Sequence, residues 1–123
     1  MGVAVVHRAK AVNIQASLEH SQITEIYHVI SGSGTMVSGG TMENAKNQSP
    51  PNPVIAPSMG GFRIVGGQSR KIGLGDVIII VAPNTGHGWS EVSDELVYLV
   101  VRVDPQKVLP IKIRLAVAGA ALA

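Results

Sequence analysis

Two side chains able to bind a metal ion, His20 and Glu25, lie five residues apart in the stretch EHSQITEIYHVISGSG. On one uninterrupted β-strand, an odd separation places two side chains on opposite faces. The imidazole and the carboxylate can therefore face the same space only if the chain turns between them. The intervening residues SQIT are able to supply that turn. His20 would then end one strand and Glu25 would begin the next.

The predicted strand that begins near Glu25 places its carboxylate on a face shared with apolar side chains. Glu25 shares a strand face with Tyr27 and Val29, whereas His28 falls on the opposite face and is interpreted as a structural or interface residue. If the first face is interior, the carboxylate is costly to bury without a partner. A metal ion is one such partner.

The elements that position these residues are predicted to be short strands. Apolar residues recur mostly with a period of two, and β-branched residues are abundant. Turn signals separate the apolar runs, among them SGSG at 31–34, GG at 39–40 and SDE at 93–95. The predicted strands are Val3–Val6, Ala11–Glu19, Thr24–Ile30, Thr35–Ser38, Gly61–Val65, Ser69–Ile72, Asp76–Val81, His87–Val92 and Leu96–Val103. This pattern is typical of an all-β sandwich or barrel.

Two segments depart from this rhythm. Residues 41–60 form a proline-rich connection, which is either a mobile surface loop or a flap over the mouth of a pocket. The tail over 106–123 forms either a short helix or one more strand that covers a sheet edge. The sequence leaves both choices open.

Composition restricts the class of protein. The 123 residues are enough for one domain, 1–123, and 46% hydrophobic against 15% charged residues indicates a compact fold rather than disorder. Without cysteine there is no disulfide or thiolate chemistry. Residues 11–104 are slightly acidic, and only four residues of the chain are aromatic. A nucleic-acid-binding protein is expected to carry a basic stripe and stacking aromatics.

Several functions are excluded by missing motifs. A nucleophile elbow, a P-loop and a dinucleotide fingerprint are absent from the sequence.

The first residues lack an adequate apolar core for a signal peptide, and the apolar tail is too short to span a bilayer. We therefore expect no nucleic-acid or membrane partner, and a cytoplasmic location is favoured.

The first candidate region resembles a motif of the cupins, small β-barrels of the jelly-roll type. The motif has the form G-x5-H-x-H-x(3,4)-E-x6-G. The chain follows it from the first histidine onward, with Leu18 in place of that histidine, then His20, Glu25 and Gly32. The opening glycine is absent.

The second cupin motif, G-x5-P-x-G-x2-H-x3-N, is similar to GDVIIIVAPNTGHGWSE. Gly75 matches its opening glycine, Pro83 its proline and His87 its metal-binding histidine. The stretch from Gly75 to His87 is one residue longer than the motif, and Glu91 replaces the asparagine. The resemblance covers residues 11–103, most of the chain.

The resemblance implies a cupin-type jelly-roll β-barrel with one divalent transition metal held by His20, Glu25 and His87. Two imidazoles and one carboxylate suit Fe, and Mn, Ni, Zn and Co also accept them. Leu18 removes the usual fourth protein ligand. Either water and substrate fill the vacant positions, or Gln22 supplies its amide oxygen.

Other residues are candidates for a substrate pocket. Tyr27 lies on the same strand face as Glu25, Trp89 lies two residues beyond His87, and Arg63 is a strand cation able to bind a substrate carboxylate. Each of the three also fits an ordinary core or surface position. His20 itself fits a hydrogen-bonded turn, and Glu25 an exposed sheet surface.

Three interpretations of function stay open. The favoured one is metal-dependent chemistry on a small polar molecule inside the barrel, with the catalytic residues unassigned. The alternative is a non-catalytic barrel that holds or senses a small ligand, since cupins serve both purposes. The third is a metal-free β-sandwich whose motifs match by accident. A homodimer is expected, because cupins commonly pair through edge strands and because Ile26 and Ile30 point outward.

Overall fold

The computed structural model describes residues 2–47, 58–81 and 85–104, and the backbone of 113–118. This part of the chain is all-β, as predicted, and contains no helix, so no helix in it is long and apolar enough to cross a membrane. Its strands are β1 (Gly2–Arg8), β2 (Ser17–His20), β3 (Thr24–Ser38), β4 (Thr41–Met42), β5 (Lys46–Asn47), β6 (Ser58–Gly61), β7 (Ile64–Val65), β8 (Gln68–Gly73), β9 (Val77–Ile80), β10 (His87–Val103) and β11 (Ile113–Ala118).

Two long antiparallel strands, β3 and β10, form the spine of the fold. They pair along their whole length, from Thr24 opposite Val103 to Ser38 opposite His87. On its other edge β10 pairs with β1 and then with β2, while β3 pairs with β9 and β8. Strand β11 runs parallel to β1, and β6 and β5 continue the sheet beyond β2. The resulting sheet curls strongly into a half-barrel.

The predicted turns at 31–34 and 93–95 are wrong, because both stretches lie inside the long strands. The pairing of β3 with β10 passes through register shifts there instead of reversing direction. Gly32 has a φ of +84°, and a side chain at this position would collide with the backbone of Glu95. Glycine therefore lets the two strands approach closely and bend, as β-bulges do, so each strand continues around the half-barrel.

Two of the predicted strands are interrupted in the structure. Of Ala11–Glu19 only the last part forms β2, since Asn13 has a φ of +52° that interrupts the extended backbone, although Ala11 makes an isolated bridge to Val92. The predicted strand Gly61–Val65 is divided between β6 and β7.

The structure describes part of the connection 41–60 and part of the C-terminal tail. The connection 41–60 begins with β4 and β5 and ends with β6, and its residues 48–57 lie outside the described part, as does Pro83. In the C-terminal tail, residues 106–112 also lie outside it. Residues 113–118 form a strand along the edge of β1, which confirms the second of the two predicted possibilities for the tail.

The hydrophobic core lies on the concave side of the half-barrel. Every second residue of the strands faces the core. Polar side chains at these same inward-facing positions are therefore buried as well. The apolar residues of the core are Ala4, Val6, Tyr27, Val29, Met36, Ile72, Ile80, Trp89, Val92, Leu96, Tyr98 and Val100.

Candidate metal centre

The three predicted metal ligands meet at one end of the core. His20 ends β2, Glu25 is the first inward residue of β3, and His87 begins β10. The chain turns between His20 and Glu25, as their odd separation requires. One ligand atom from each residue lies within 4.8 Å of the others, and the three residues are 3%, 1% and 4% exposed respectively. This buried group is able to hold a metal ion.

The distances within the group fit a shared ion. Oxygen Oε1 of Glu25 lies 2.8 Å from Nε2 of His20 and 3.2 Å from Nε2 of His87. Two donors that each lie about 2.1 Å from an ion, at right angles to one another, are about 3.0 Å apart. Oε1 of Glu25 therefore has the spacing of a neighbouring ligand from each of the two imidazole nitrogens.

Hydrogen bonds on the outer nitrogens orient both imidazoles. Nδ1 of His87 donates to the carbonyl oxygen of Thr85 at 3.1 Å, and Nδ1 of His20 lies 2.8 Å from the Ser58 hydroxyl. A carbonyl only accepts, so Nδ1 of His87 carries a hydrogen and Nε2 of the neutral ring has a lone pair. Metal-binding histidines are commonly held in this way.

The lone pair on His87 makes a cation favourable at this point. In the neutral ring, Nε2 of His87 is an acceptor that faces Oε1 of Glu25, which is also an acceptor. Two acceptors at this distance stabilise one another only with a proton or a metal ion between them. The geometry thus favours a positive charge in the space among the three side chains.

Arg102 is a member of the site that the sequence analysis missed. It lies directly opposite Glu25 in the pairing of β3 with β10, and its Nε donates to Oε2 of Glu25 at 2.9 Å. The side chain is buried. The alternation of side chains along β10 could have indicated that Arg102 points inward, because it lies on the same strand face as Tyr98 and Val100. Its partner was not readable from the sequence.

Tyr27 also contacts the carboxylate. Its hydroxyl donates to Oε1 of Glu25 at 3.1 Å, and its ring packs against Tyr98 with a centroid separation of 4.7 Å. Of the residues predicted for a substrate pocket, Tyr27 is thus the one in contact with a candidate ligand.

The environment keeps Glu25 ionised and Tyr27 neutral. Burial by itself raises the pKa of Glu25, but when each imidazole holds a proton toward Oε1, the hydrogen bonds and charges from His20 and His87 outweigh burial and hold the pKa well below the usual value. Burial, and then the nearby charge of Glu25, raise the pKa of Tyr27 well above its usual value. The site therefore presents an anionic ligand beside a phenol that donates.

Gln22 and Leu18 are the two residues that the sequence analysis related to a fourth ligand. The amide oxygen of Gln22 is buried and has no hydrogen-bond partner among the described residues. Such a group is costly in a folded protein. Leu18 lies directly opposite His87 in the pairing of β2 with β10, two residues before His20.

The other two residues predicted for a substrate pocket lie around a separate cavity. Trp89 is buried and donates from Nε1 to the Tyr98 hydroxyl at 3.3 Å. Arg63 is exposed and pairs with Glu43 at 3.1 Å. Both line a pocket of about 250 Å³ that also includes Ile14, and His20, Glu25 and His87 are not among its lining residues.

Comparison with known proteins identifies no relative of this chain. No protein-family model, no curated protein and no solved structure matches the chain. The functional argument therefore depends on the geometry of the candidate centre.

Proposed function

We propose that the protein is a metal-binding cupin, a jelly-roll β-barrel that holds one divalent transition metal on His20, Glu25 and His87 and acts on a small polar molecule. The observation that carries this proposal is the convergence of two buried imidazole nitrogens on one ionised carboxylate oxygen. Support for the cupin family comes from the two motifs and from the curled all-β sheet on which they lie.

The donor set limits the metal and its chemistry. Two imidazoles and one carboxylate suit Fe, Mn, Ni, Zn or Co, and such an ion supplies Lewis-acid or oxygen chemistry at its open positions. The chain holds the carboxylate in place with Arg102 and Tyr27, and the apolar core beside it limits the access of water. Tyr27 is also placed to donate a hydrogen bond near the ion.

A non-catalytic barrel that binds a small ligand is the second candidate. It is favoured by Arg102, which already neutralises Glu25, and by Leu18, which contributes no ligand where the cupin motif has a histidine. Both features weaken retention of a redox metal. Turnover of a small molecule by the metal-loaded protein would support the enzyme, and tight binding of an organic ligand without turnover would support the binding module.

The first test is elemental analysis of the purified, tag-free protein after anaerobic reconstitution with iron or zinc. We expect about one equivalent of metal per chain in the wild type and less than a tenth of that after dialysis of His87→Ala, because the loss of one of three ligands weakens binding steeply. His28→Ala is the matched control, since His28 is exposed on the opposite face. It should retain the full equivalent.

Two outcomes would count against the metal centre. One is a wild type that binds no metal under any condition, and the other is an equal metal content in His87→Ala and His28→Ala. Circular dichroism of each variant shows whether the β-sheet is intact, so unfolding is separated from loss of a ligand.

A gain of affinity is expected from Leu18→His. This side chain lies opposite His87 and two residues before His20, so an imidazole there would project toward the same space. We expect zinc to bind at least ten times more tightly, as measured by competition with a chromophoric chelator. Leu74→His is the control, because Leu74 is 74% exposed in a turn. Equal affinities in the two variants would place Leu18 away from the centre.

A further inference from the structure

The pocket of about 250 Å³ that Trp89 and Arg63 line, here named the side cavity, is separate from the candidate metal centre. Its lining comes from the chain at 13–17, from β10 directly after His87, from β3 and from the stretch 63–64. None of the three candidate metal ligands lines it. A molecule held in the side cavity therefore contacts a different set of residues from a molecule held by the ion.

Close backbone contacts between the chain at 13–17 and β10 build one wall of the side cavity. The backbone N–H of Ile14 donates to the carbonyl oxygen of Ser90 at 3.0 Å. A Cβ atom at Gly88 would come within 2.5 Å of the carbonyl oxygen of Ala16, so the absence of a side chain lets the two segments approach. The wall is therefore fixed by the fold before any ligand binds, as is usual for small-molecule sites.

The lining of the side cavity is largely apolar. It includes four large apolar residues, Ile14, Val37, Ile64 and Trp89. Trp89 donates its ring N–H to the Tyr98 hydroxyl at 3.3 Å, so its indole has no further hydrogen to donate to a ligand. The body of a molecule that fits these walls is apolar.

A cation lies at the edge of these apolar walls. Among the described residues that line the side cavity, Arg63 alone is charged. Its Nε donates to Oε2 of Glu43 at 3.1 Å, and an arginine also has N–H groups on its two terminal nitrogens, which match the oxygens of a carboxylate. Because an exposed ion pair contributes little to stability, Glu43 gives up the guanidinium at small cost.

We propose that the side cavity is a second small-molecule site, which binds a compact monocarboxylate with its apolar body between the walls and its carboxylate on Arg63. A single cation favours a single negative charge, and apolar walls disfavour a strongly hydrated anion such as phosphate. Pockets for drug-sized ligands measure about 300–1,000 Å³, so this smaller cavity suits a smaller acid. The site requires no metal ion and does not depend on the proposed function.

The test is isothermal titration calorimetry of the full chain with phenylacetate, in a buffer that contains a chelator. We expect a dissociation constant in the millimolar range or below, which is ordinary for a ligand of this size. The neutral amide phenylacetamide has nearly the same shape and should bind at least ten times more weakly. Trp89 is the only tryptophan of the chain, so its fluorescence should change with the same dissociation constant.

Three variants test the role of the guanidinium. Arg63→Gln should weaken phenylacetate binding at least tenfold, whereas Arg70→Gln, at an exposed arginine of β8 outside the cavity, should leave it unchanged. Glu43→Gln removes the competing carboxylate and should raise the affinity. If the ion pair only held the cavity in shape, the loss of either partner would weaken binding.

Four results would overturn the proposal: a wild type that does not bind phenylacetate, equal affinities for the acid and the amide, equal affinities in the two arginine variants, and an affinity that Glu43→Gln fails to raise. Heat of binding without a change in Trp89 fluorescence would place the acid elsewhere and would count against it equally. Metal content of Arg63→Gln after reconstitution should equal that of the wild type. The two sites are thereby tested independently.

Discussion

Replacing Arg102 with methionine is expected to lower the free energy of unfolding of the metal-free protein by about 3–5 kcal/mol. The guanidinium lies 2.9 Å from Oε2 of Glu25, and both side chains are buried. Methionine fills most of the volume but leaves the carboxylate without its cation. Urea unfolding in the presence of a chelator, followed by circular dichroism, measures the change.

Two further variants show whether the loss comes from the buried charge. Arg70→Met removes an exposed arginine and should change stability by no more than about 0.5 kcal/mol. The double variant Glu25→Leu and Arg102→Met removes both charges, and we expect it to recover most of the loss, since apolar replacement of a whole buried pair is often neutral. A loss below about 1 kcal/mol in Arg102→Met would show that the imidazoles alone satisfy the carboxylate.

Metal should restore part of the stability lost in Arg102→Met. An ion on Oε1 of Glu25 supplies the positive charge that the arginine no longer provides, and a ligand that binds only the folded state stabilises it. The stabilisation by zinc, measured as the shift in the urea midpoint, is therefore expected to be larger in Arg102→Met than in the wild type. An equal shift in the two proteins would separate Arg102 from the metal centre.

The second large effect is expected from Glu25→Gln, which should weaken zinc or cobalt binding at least 100-fold. The carboxylate oxygen is the common neighbour of both imidazole nitrogens, and glutamine replaces an anionic donor with a neutral one. Buried Arg102 would also lose its counter-charge and repel the ion. Competition with a chromophoric chelator measures the affinity.

Glu91→Gln provides the matched control for this change. Glu91 is a half-buried glutamate of β10 that accepts a hydrogen bond from Thr35 at 2.9 Å, away from the candidate ligands. Its replacement should leave metal affinity unchanged. If Glu25→Gln and Glu91→Gln bind metal equally well while both remain folded, Glu25 is not a ligand.

The strand pattern predicted much of this site, because the alternation of side chains along a strand depends only on residues that are close in sequence. A period of two placed Glu25, Tyr27 and Val29 on one face, and the odd separation from His20 required a turn, and both features are present. The same local rules were wrong at 31–34. There Gly32 allows a close approach between two strands, and that neighbour lies far away in sequence.

Sequence was therefore sufficient for the all-β class, for the inward face of β3 and for three candidate donors of the right chemical type. It was not sufficient for Arg102 or for the separation of Arg63 from the centre. The position of Arg102 depends on which residues of β10 oppose which residues of β3, and the bulges between Trp89 and Tyr98 set that register. A slip of one residue would place Val101 or Val103 opposite Glu25 and turn every side chain of the strand to the other face. The buried ion pair between Glu25 and Arg102 is a consequence of that alignment.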